Sequence, residues 1–269
     1  GDGGDERFGG YNRYFWGPRI WNRLAWLPGP LRRSLGLAIT ALPPPAWDAL
    51  GRPLPIGQLG HKAHKLAARL RDVRSSDDLY RSLVSEWPVP AALLQGEPPA
   101  LAATPIDQAL PSCLADHPVA RMMAWDSLSY LPDDILVKLD RAAMAASLET
   151  RAPFLDHRVA AVAWRLPMSM KIRAGQGKWA LRQILYKHVP RQLIERPKAG
   201  FAIPIGQWLR GPLRPWAEAL LEPGQMQCQG YLRPEPIQAL WRQHLSDRYD
   251  HTTKLWTVLM WQAWLEQWG

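Results

Sequence analysis

Four stretches of the chain place acids, cations and glycines at spacings that could do chemistry. The first is Gly1-Asp2-Gly3-Gly4-Asp5-Glu6. Its glycines let backbone N–H groups turn into one concavity, which suits phosphate oxygens. The interleaved carboxylates cannot hold phosphate directly, but they can hold Mg²⁺, and Mg²⁺ holds phosphate. The stretch therefore reads as a Mg-nucleotide site, as an acidic surface turn, or as a Ca²⁺ loop; standing alone, the surface turn is favoured. In the second stretch, Glu149, Arg151 and Asp156 surround the apolar Pro153-Phe154-Leu155. Charges so near a buried turn must be paired or hydrogen-bonded, either at a cleft or as a structural ion pair.

The third stretch, Gly175-Gln176-Gly177-Lys178, opens a helix with an expected buried face at Leu181, Ile184 and Leu185. Lys178 precedes that face by one turn and need not point to solvent. A lysine at a Gly-flanked helix start suits a phosphate or a developing negative charge; taken singly, it reads as a solvated lysine. The fourth, Arg196-Pro197-Lys198-Ala199-Gly200-Phe201, sets two cations beside a glycine turn. They could contact pyrophosphate or simply be solvated.

The elements that must position these residues are mainly helical. Residues 1–16 read as a loop passing into a helix, and prolines from Pro28 to Pro55 punctuate short helices and turns over 17–60. Leu59, Ala63, Leu66 and Leu70 predict an amphipathic helix over 58–72, followed by another over 77–87. Residues 88–118 read as a Pro- and Ala-rich, weakly patterned connector that could hold one short helix. Leu131-Pro132-Asp133-Asp134 is a helix-start signal, with Ile135, Leu136, Leu139 and Ala143 as its core face. Short helices are expected over 157–165 and 177–188. Over 251–268, Leu255, Val258, Leu259 and Gln262 recur at helical spacing and predict a mostly buried closing helix. Period-2 strands are scarce and no repeat is present.

Composition narrows the class. With 269 residues, 47% hydrophobic and 21% charged, the chain can bury a core. Trp, at 15 residues against 7 Tyr and 4 Phe, falls largely in apolar stretches and is expected to pack. The net charge of +9 is spread along the chain, which favours phosphate handling over nucleic-acid binding. Cys113 and Cys228 lie in no metal-ligand spacing, and the lack of a disulfide framework fits a reducing compartment. No apolar run reaches membrane-spanning length, and no signal peptide opens the chain. The start at Gly1, inside a glycine-rich turn, suggests a fragment cut at its left edge.

Taken in order, GDGGDERFGGYNRY, YLPDDILVKLDRAAMAASLETRAPFLDHR, GKWALRQIL, RPKAGFAIPIGQWLR and KLWTVLMWQAW closely resemble the synthetase domain of glutamine-hydrolysing asparagine synthetases. Each piece is weak alone; the composite is specific. It covers residues 1–16 and 120–269, whereas 20–118 is a divergent helical and Pro-rich segment. The resemblance implies the C-terminal portion of an α/β ATP-pyrophosphatase-type domain, with the central sheet, the SGGxDS pyrophosphate loop and the glutaminase domain upstream of Gly1. It implies ATP and Mg²⁺, with aspartate activated as an acyl-adenylate and attacked by ammonia from glutamine. Gly1, Asp2, Gly3 and Gly4 would lie at the ATP site, and Asp5 would be a Mg²⁺ ligand. Asp2 stands where well-known members carry a Glu that serves as base for ammonia, so its shorter side chain changes the reach. Lys178 matches the lysine that stabilises pyrophosphate and the charged transition state, and Lys198 would add a pyrophosphate contact. Asp140, Arg141, Glu149, Arg151 and Asp156 match positions near the cleft, as substrate contacts or scaffold.

The resemblance further implies a cytoplasmic enzyme, open to homodimer formation, that contacts neither nucleic acid nor membrane. Without the pyrophosphate loop and the glutaminase, the isolated chain is expected to be inactive. Relatives form other amides, including β-lactams, but β-lactam-forming members tend to carry Tyr where Asp2 stands. The acid therefore favours intermolecular amidation, of aspartate or of another carboxylate such as a secondary metabolite or polysaccharide. A non-catalytic helical module binding an anionic partner is the reading from a different class, and its mark would be steep salt dependence.

Overall fold

In the computed structural model the described residues are 2–50, 59–87, 89–96, 104–195, 203–247 and 249–269. The helices run in the order α1 (Gly4–Phe8), α2 (Arg13–Ala25), α3 (Gly29–Ala41), α4 (Pro44–Leu50), α5 (Leu59–Asp72) and α6 (Ser76–Val84). Next come α7 (Pro118–Leu128), α8 (Val137–Met144), α9 (His157–Arg165), α10 (Met168–Lys171), α11 (Trp179–Leu185) and α12 (Arg191–Ile194). The last are α13 (Ile205–Arg210), α14 (Arg214–Leu220), α15 (Pro223–Gln229), α16 (Pro234–Leu245) and α17 (Thr252–Trp268). The only sheet among the described residues is a two-stranded antiparallel hairpin, β1 (Ile172–Arg173) with β2 (Gln176–Gly177). The chain is mainly α-helical, as its patterning predicts, and no described helix is long and apolar enough to cross a membrane.

The chain divides into two compact units. The first gathers Gly1–Gly29, Val73–Leu83 and Ala102–Lys198. Its buried centre holds Tyr14, Leu79, Tyr80, Met122 and Met123, so α2, α6 and α7 converge there. The second gathers Pro30–Asp72, Val84–Leu101 and Ala199–Gly269. Its core joins Leu209, Leu220, Leu221, Met226, Ile237, Trp241, Leu255, Val258 and Leu259, contributed by α13 to α17.

Several local expectations change. Residues 4–8 are already helical rather than loop, and α2 carries Pro18 within it. The 88–118 connector contains three 3₁₀ turns among its described residues, at Pro90–Leu93, Pro105–Asp107 and Ser112–Leu114. The start signal at Leu131 opens a π-helical turn, Leu131–Leu136, that continues into α8. Pro132 lacks an N–H and its ring crowds the preceding turn, which favours this widened winding. Helix α8 has no fully buried residue, so the expected face at Leu139 and Ala143 is only half covered. Among the described positions of α5, Gly60, Ala67 and Leu70 are buried while Leu66 is exposed, so the buried face is rotated from the expected one. Helix α11 leaves Ile184 and Leu185 exposed, against the buried face expected there. Helix α17 buries Leu255, Val258, Leu259 and Gln262 as predicted, yet Trp261, Trp264 and Trp268 on its other sides are exposed. It is a half-buried helix, because only one side meets the core.

Candidate active site

The first and third stretches meet. Lys178 Nζ donates to Asp5 Oδ2 at 2.7 Å, across 173 residues of sequence. Both side chains are about a quarter exposed, 25% and 24%, so the pair faces solvent on one side only. Backbone shape brings them together. Lys178 takes a left-handed conformation (φ 56°) as the N-cap of α11, a cost that a non-glycine residue accepts only where neighbours hold it. Its own N–H donates to the Phe8 carbonyl at 2.9 Å, tying α11 to the end of α1. Gly10 is needed at the crossing, since a Cβ there would overlap both the Asp5 carboxylate and the Lys178 side chain.

The second stretch supports the first from below. A Cβ on Gly3 (φ 85°) would come within 2.9 Å of Leu155, and one on Gly4 within 3.3 Å of the Phe154 ring. Phe8 meets Phe154 edge-on at 5.7 Å. These glycines thus serve close packing against the Pro153–Leu155 turn, a reason for glycine independent of any phosphate. Asp156 caps α9, accepting from the Arg158 backbone N–H at 2.8 Å and from the Arg158 guanidinium at 2.7 Å. Those Arg158 hydrogen bonds hold its carboxyl well below the usual range. Arg151 pairs with Glu149 at 2.6 Å, as the ion-pair alternative has it, but both are highly exposed, which makes it a weak surface pair. Asp140 and Arg141 are exposed on α8, and Asp2 is half-buried in the turn before α1. Gly1 and Lys198 lie outside the described residues.

Sequence reasoning missed the group that braces this site. Asp126 on α7 is fully buried and accepts from Arg13 Nε at 2.8 Å, Tyr14 Oη at 2.5 Å and Tyr80 Oη at 2.7 Å. A second Arg13 nitrogen lies 2.7 Å from the other Asp126 oxygen, giving a two-pronged pair. Burial works against the Arg13 charge, but the Asp126 hydrogen bond and proximity outweigh it and hold Arg13 firmly protonated. Burial and then Asp126 push both phenols upward, so Tyr14 and Tyr80 act as donors. The Arg13 guanidinium also stacks 4.0 Å over Tyr11 and 5.0 Å over Tyr130. Tyr11 in turn donates to the buried Glu6 at 2.5 Å, beside Asp5, and burial and then Glu6 raise its pKa. The available signal was Asp126 itself, a lone carboxylate within the apolar run of α7.

As to a metal, no cluster of three acids, histidines or cysteines exists among the described residues. Mg²⁺ does not require one, because one or two carboxylates plus substrate phosphates normally suffice. Asp5, paired with a lysine and partly open, fits as a single carboxylate of that kind.

The asparagine synthase family model matches residues 1–266, and the chain belongs to that family. It is 36% identical to a putative glutamine-hydrolysing asparagine synthetase of Mycobacterium tuberculosis over 98% of the chain and 38% of that protein. It is 29% identical to glutamine-hydrolysing asparagine synthetase 1 of Bacillus subtilis over 98% of the chain and 39% of that protein. The chain thus spans well under half the length of these relatives. No solved structure matches it.

Proposed function

We propose that this chain supplies the lysine and metal-carboxylate half of an ATP-dependent amide ligase, which converts aspartate to asparagine with ammonia derived from glutamine. The observation that carries the reading is the Lys178–Asp5 pair. In such a ligase a carboxylate oxygen of the acceptor attacks the α-phosphorus of ATP, pyrophosphate departs, and ammonia displaces AMP from the acyl carbon. Lys178 places a cation beside the departing diphosphate and the developing negative charge. Asp5 would hold Mg²⁺, which neutralises phosphate charge when bound. Asp2, on the turn before α1, would accept the proton that ammonia loses. The α/β setting, the pyrophosphate loop and the ammonia-producing partner domain belong to this proposal through the family.

The test is pyrophosphate release by the full-length protein that carries this chain, with ATP, Mg²⁺, ammonium and a panel of carboxylates. Release should require aspartate, and Lys178→Ala should lower its rate about 10²–10³-fold, as for removal of one transition-state donor. Release supported by a different carboxylate would keep the ligase and replace the substrate. A well-folded protein that releases nothing would end the reading.

A further inference from the structure

A cavity of about 340 Å³ opens in the first unit, at the small end of the range for small-molecule sites. Neither Asp5 nor Lys178 lines it, and neither does Asp126. Helix α6 contributes Asp77 and Arg81, and helix α7 contributes Arg121 and Trp125. The segment 106–115 contributes the rest, including the apolar Leu110, Pro111 and Leu114. Two ion pairs tie these parts together. Arg81 pairs with Asp107 at 2.5 Å and donates to the Ile106 carbonyl at 2.8 Å. Arg121 pairs with Asp77, donates to the Ala115 carbonyl at 3.1 Å, and lies 5.4 Å over the Trp125 ring.

Asp77 and Arg81 stand one turn apart on α6, a spacing at which an acid and a base commonly meet each other. Here each is drawn to a different partner, so two opposite charges lie side by side along one opening. Arg81 uses one amino group on Asp107 and the other on Ile106, which leaves further N–H groups for an acceptor. Asp77 accepts from Ser76 at 3.3 Å besides pairing with Arg121, and a carboxylate can accept about four hydrogen bonds. A lone anion drawn to Arg81 would face Asp77 and Asp107, and a lone cation would face Arg81 and Arg121. Like charges brought together in this way oppose binding. A ligand whose two opposite charges flank one carbon meets neither objection, and the apolar lining has room for a hydrocarbon group beyond them. We propose that this cavity binds a free α-amino acid with an apolar side chain: its carboxylate on Arg81, its ammonium on Asp77, and its side chain against Leu110, Pro111 and Leu114. The assignment makes no use of the ligase reading.

Calorimetry on the full-length protein that carries this chain tests it, with L-phenylalanine and L-leucine as ligands. Phenethylamine and 3-phenylpropionate are the probes that each lack one of the two charges. Phenylalanine should bind at least about tenfold more tightly than either probe, the worth of one charge-assisted hydrogen bond. The Arg81 and Asp107 side chains are 41% and 42% exposed, so losing their pair costs little stability. Arg81→Ala should therefore weaken phenylalanine about tenfold with a nearly unchanged urea midpoint. Asp77→Asn should also weaken phenylalanine, yet strengthen 3-phenylpropionate, because the carboxylate that repels the acid is gone. A misfolded variant would lose both ligands, so this inversion separates recognition from folding. Three results would overturn the proposal: a folded wild type that binds neither amino acid, equal phenylalanine affinity in wild type and both variants, or a single-charge probe that binds as tightly as phenylalanine.

Discussion

The two units are stabilised by different physics. The first closes around charge: Asp126 receives one guanidinium and two phenols, and Glu6 and Lys171 are also buried. The second closes around hydrocarbon, with Leu209, Leu221, Met226, Ile237, Leu255 and Leu259 fully covered. A hydrocarbon core tolerates small shifts, because apolar contacts have no direction. A buried carboxylate with four donor contacts tolerates few, since each unmade bond strands a polar group. The rigid, directional unit is the one that presents Asp5 and Lys178. The contrast teaches that the polar centre is there for position, and it can be broken one unit at a time.

The largest effect is expected at the polar centre. Asp126→Ala removes the acceptor for Arg13, Tyr14 and Tyr80 together, leaving a guanidinium and two hydroxyls without their partner. Breaking a buried pair in this way costs about 3–5 kcal/mol, and Asp126→Asn should cost less because it keeps the shape and one carbonyl acceptor. Urea unfolding followed by circular dichroism measures both. A midpoint unchanged in Asp126→Ala would show that the hub is not a stabilising centre. The hydrocarbon unit should respond by burial alone. Leu259→Ala, at a fully covered position, should cost about 2–5 kcal/mol. Trp264→Ala, on the same helix but 52% exposed, should stay within about 0.5 kcal/mol. Comparable losses at the two positions would mean that the exposed side of α17 is covered in solution.

How much of this was legible depends on range. The buried face of α17 follows from spacing because helical period is local. The faces of α8 and α11 were misjudged for the complementary reason: periodicity shows which side is apolar, not whether anything covers it. Asp156 as a helix cap was within reach, being an Asp directly before a helix with Arg158 two residues on. The hub was not, since Asp126 meets partners 112 and 46 residues distant. Lys178 and Asp5, 173 residues apart, could be linked only through the order of the motifs. Gly3 and Gly4 suit a phosphate cradle on sequence alone, while the structure gives them a steric reason from Leu155 and Phe154, and gives Gly10 one from the Asp5–Lys178 pair. Steric need of that sort depends on what lies across the gap, which a single sequence does not contain.

The smallest effect sharpens the contrast from the hydrocarbon side. Among its described residues the second unit buries the imidazole of His244, at 0% exposure. Its Nδ1 accepts from the His251 backbone N–H at 3.3 Å and faces an Arg210 nitrogen at 3.4 Å, so the proton sits on Nε2 and is donated to the Gly206 carbonyl at 3.2 Å. Burial first, and the Arg210 charge second, hold the ring below its usual 6.5; the Gly206 bond and the nearby Asp250 and Asp247 oppose this without reversing it. Above pH 6.5 the ring is neutral in both folded and unfolded chains, and its contribution to stability is complete. As pH falls below that value, the unfolded chain takes up a proton that the folded one refuses, so stability declines until the folded ring protonates as well. Urea midpoints at pH 7.5, 6.5 and 5.5 should therefore drop toward acid, and His244→Gln should flatten that slope while lowering the midpoint at pH 7.5. A slope of equal size in the variant would assign the acid sensitivity to groups other than His244.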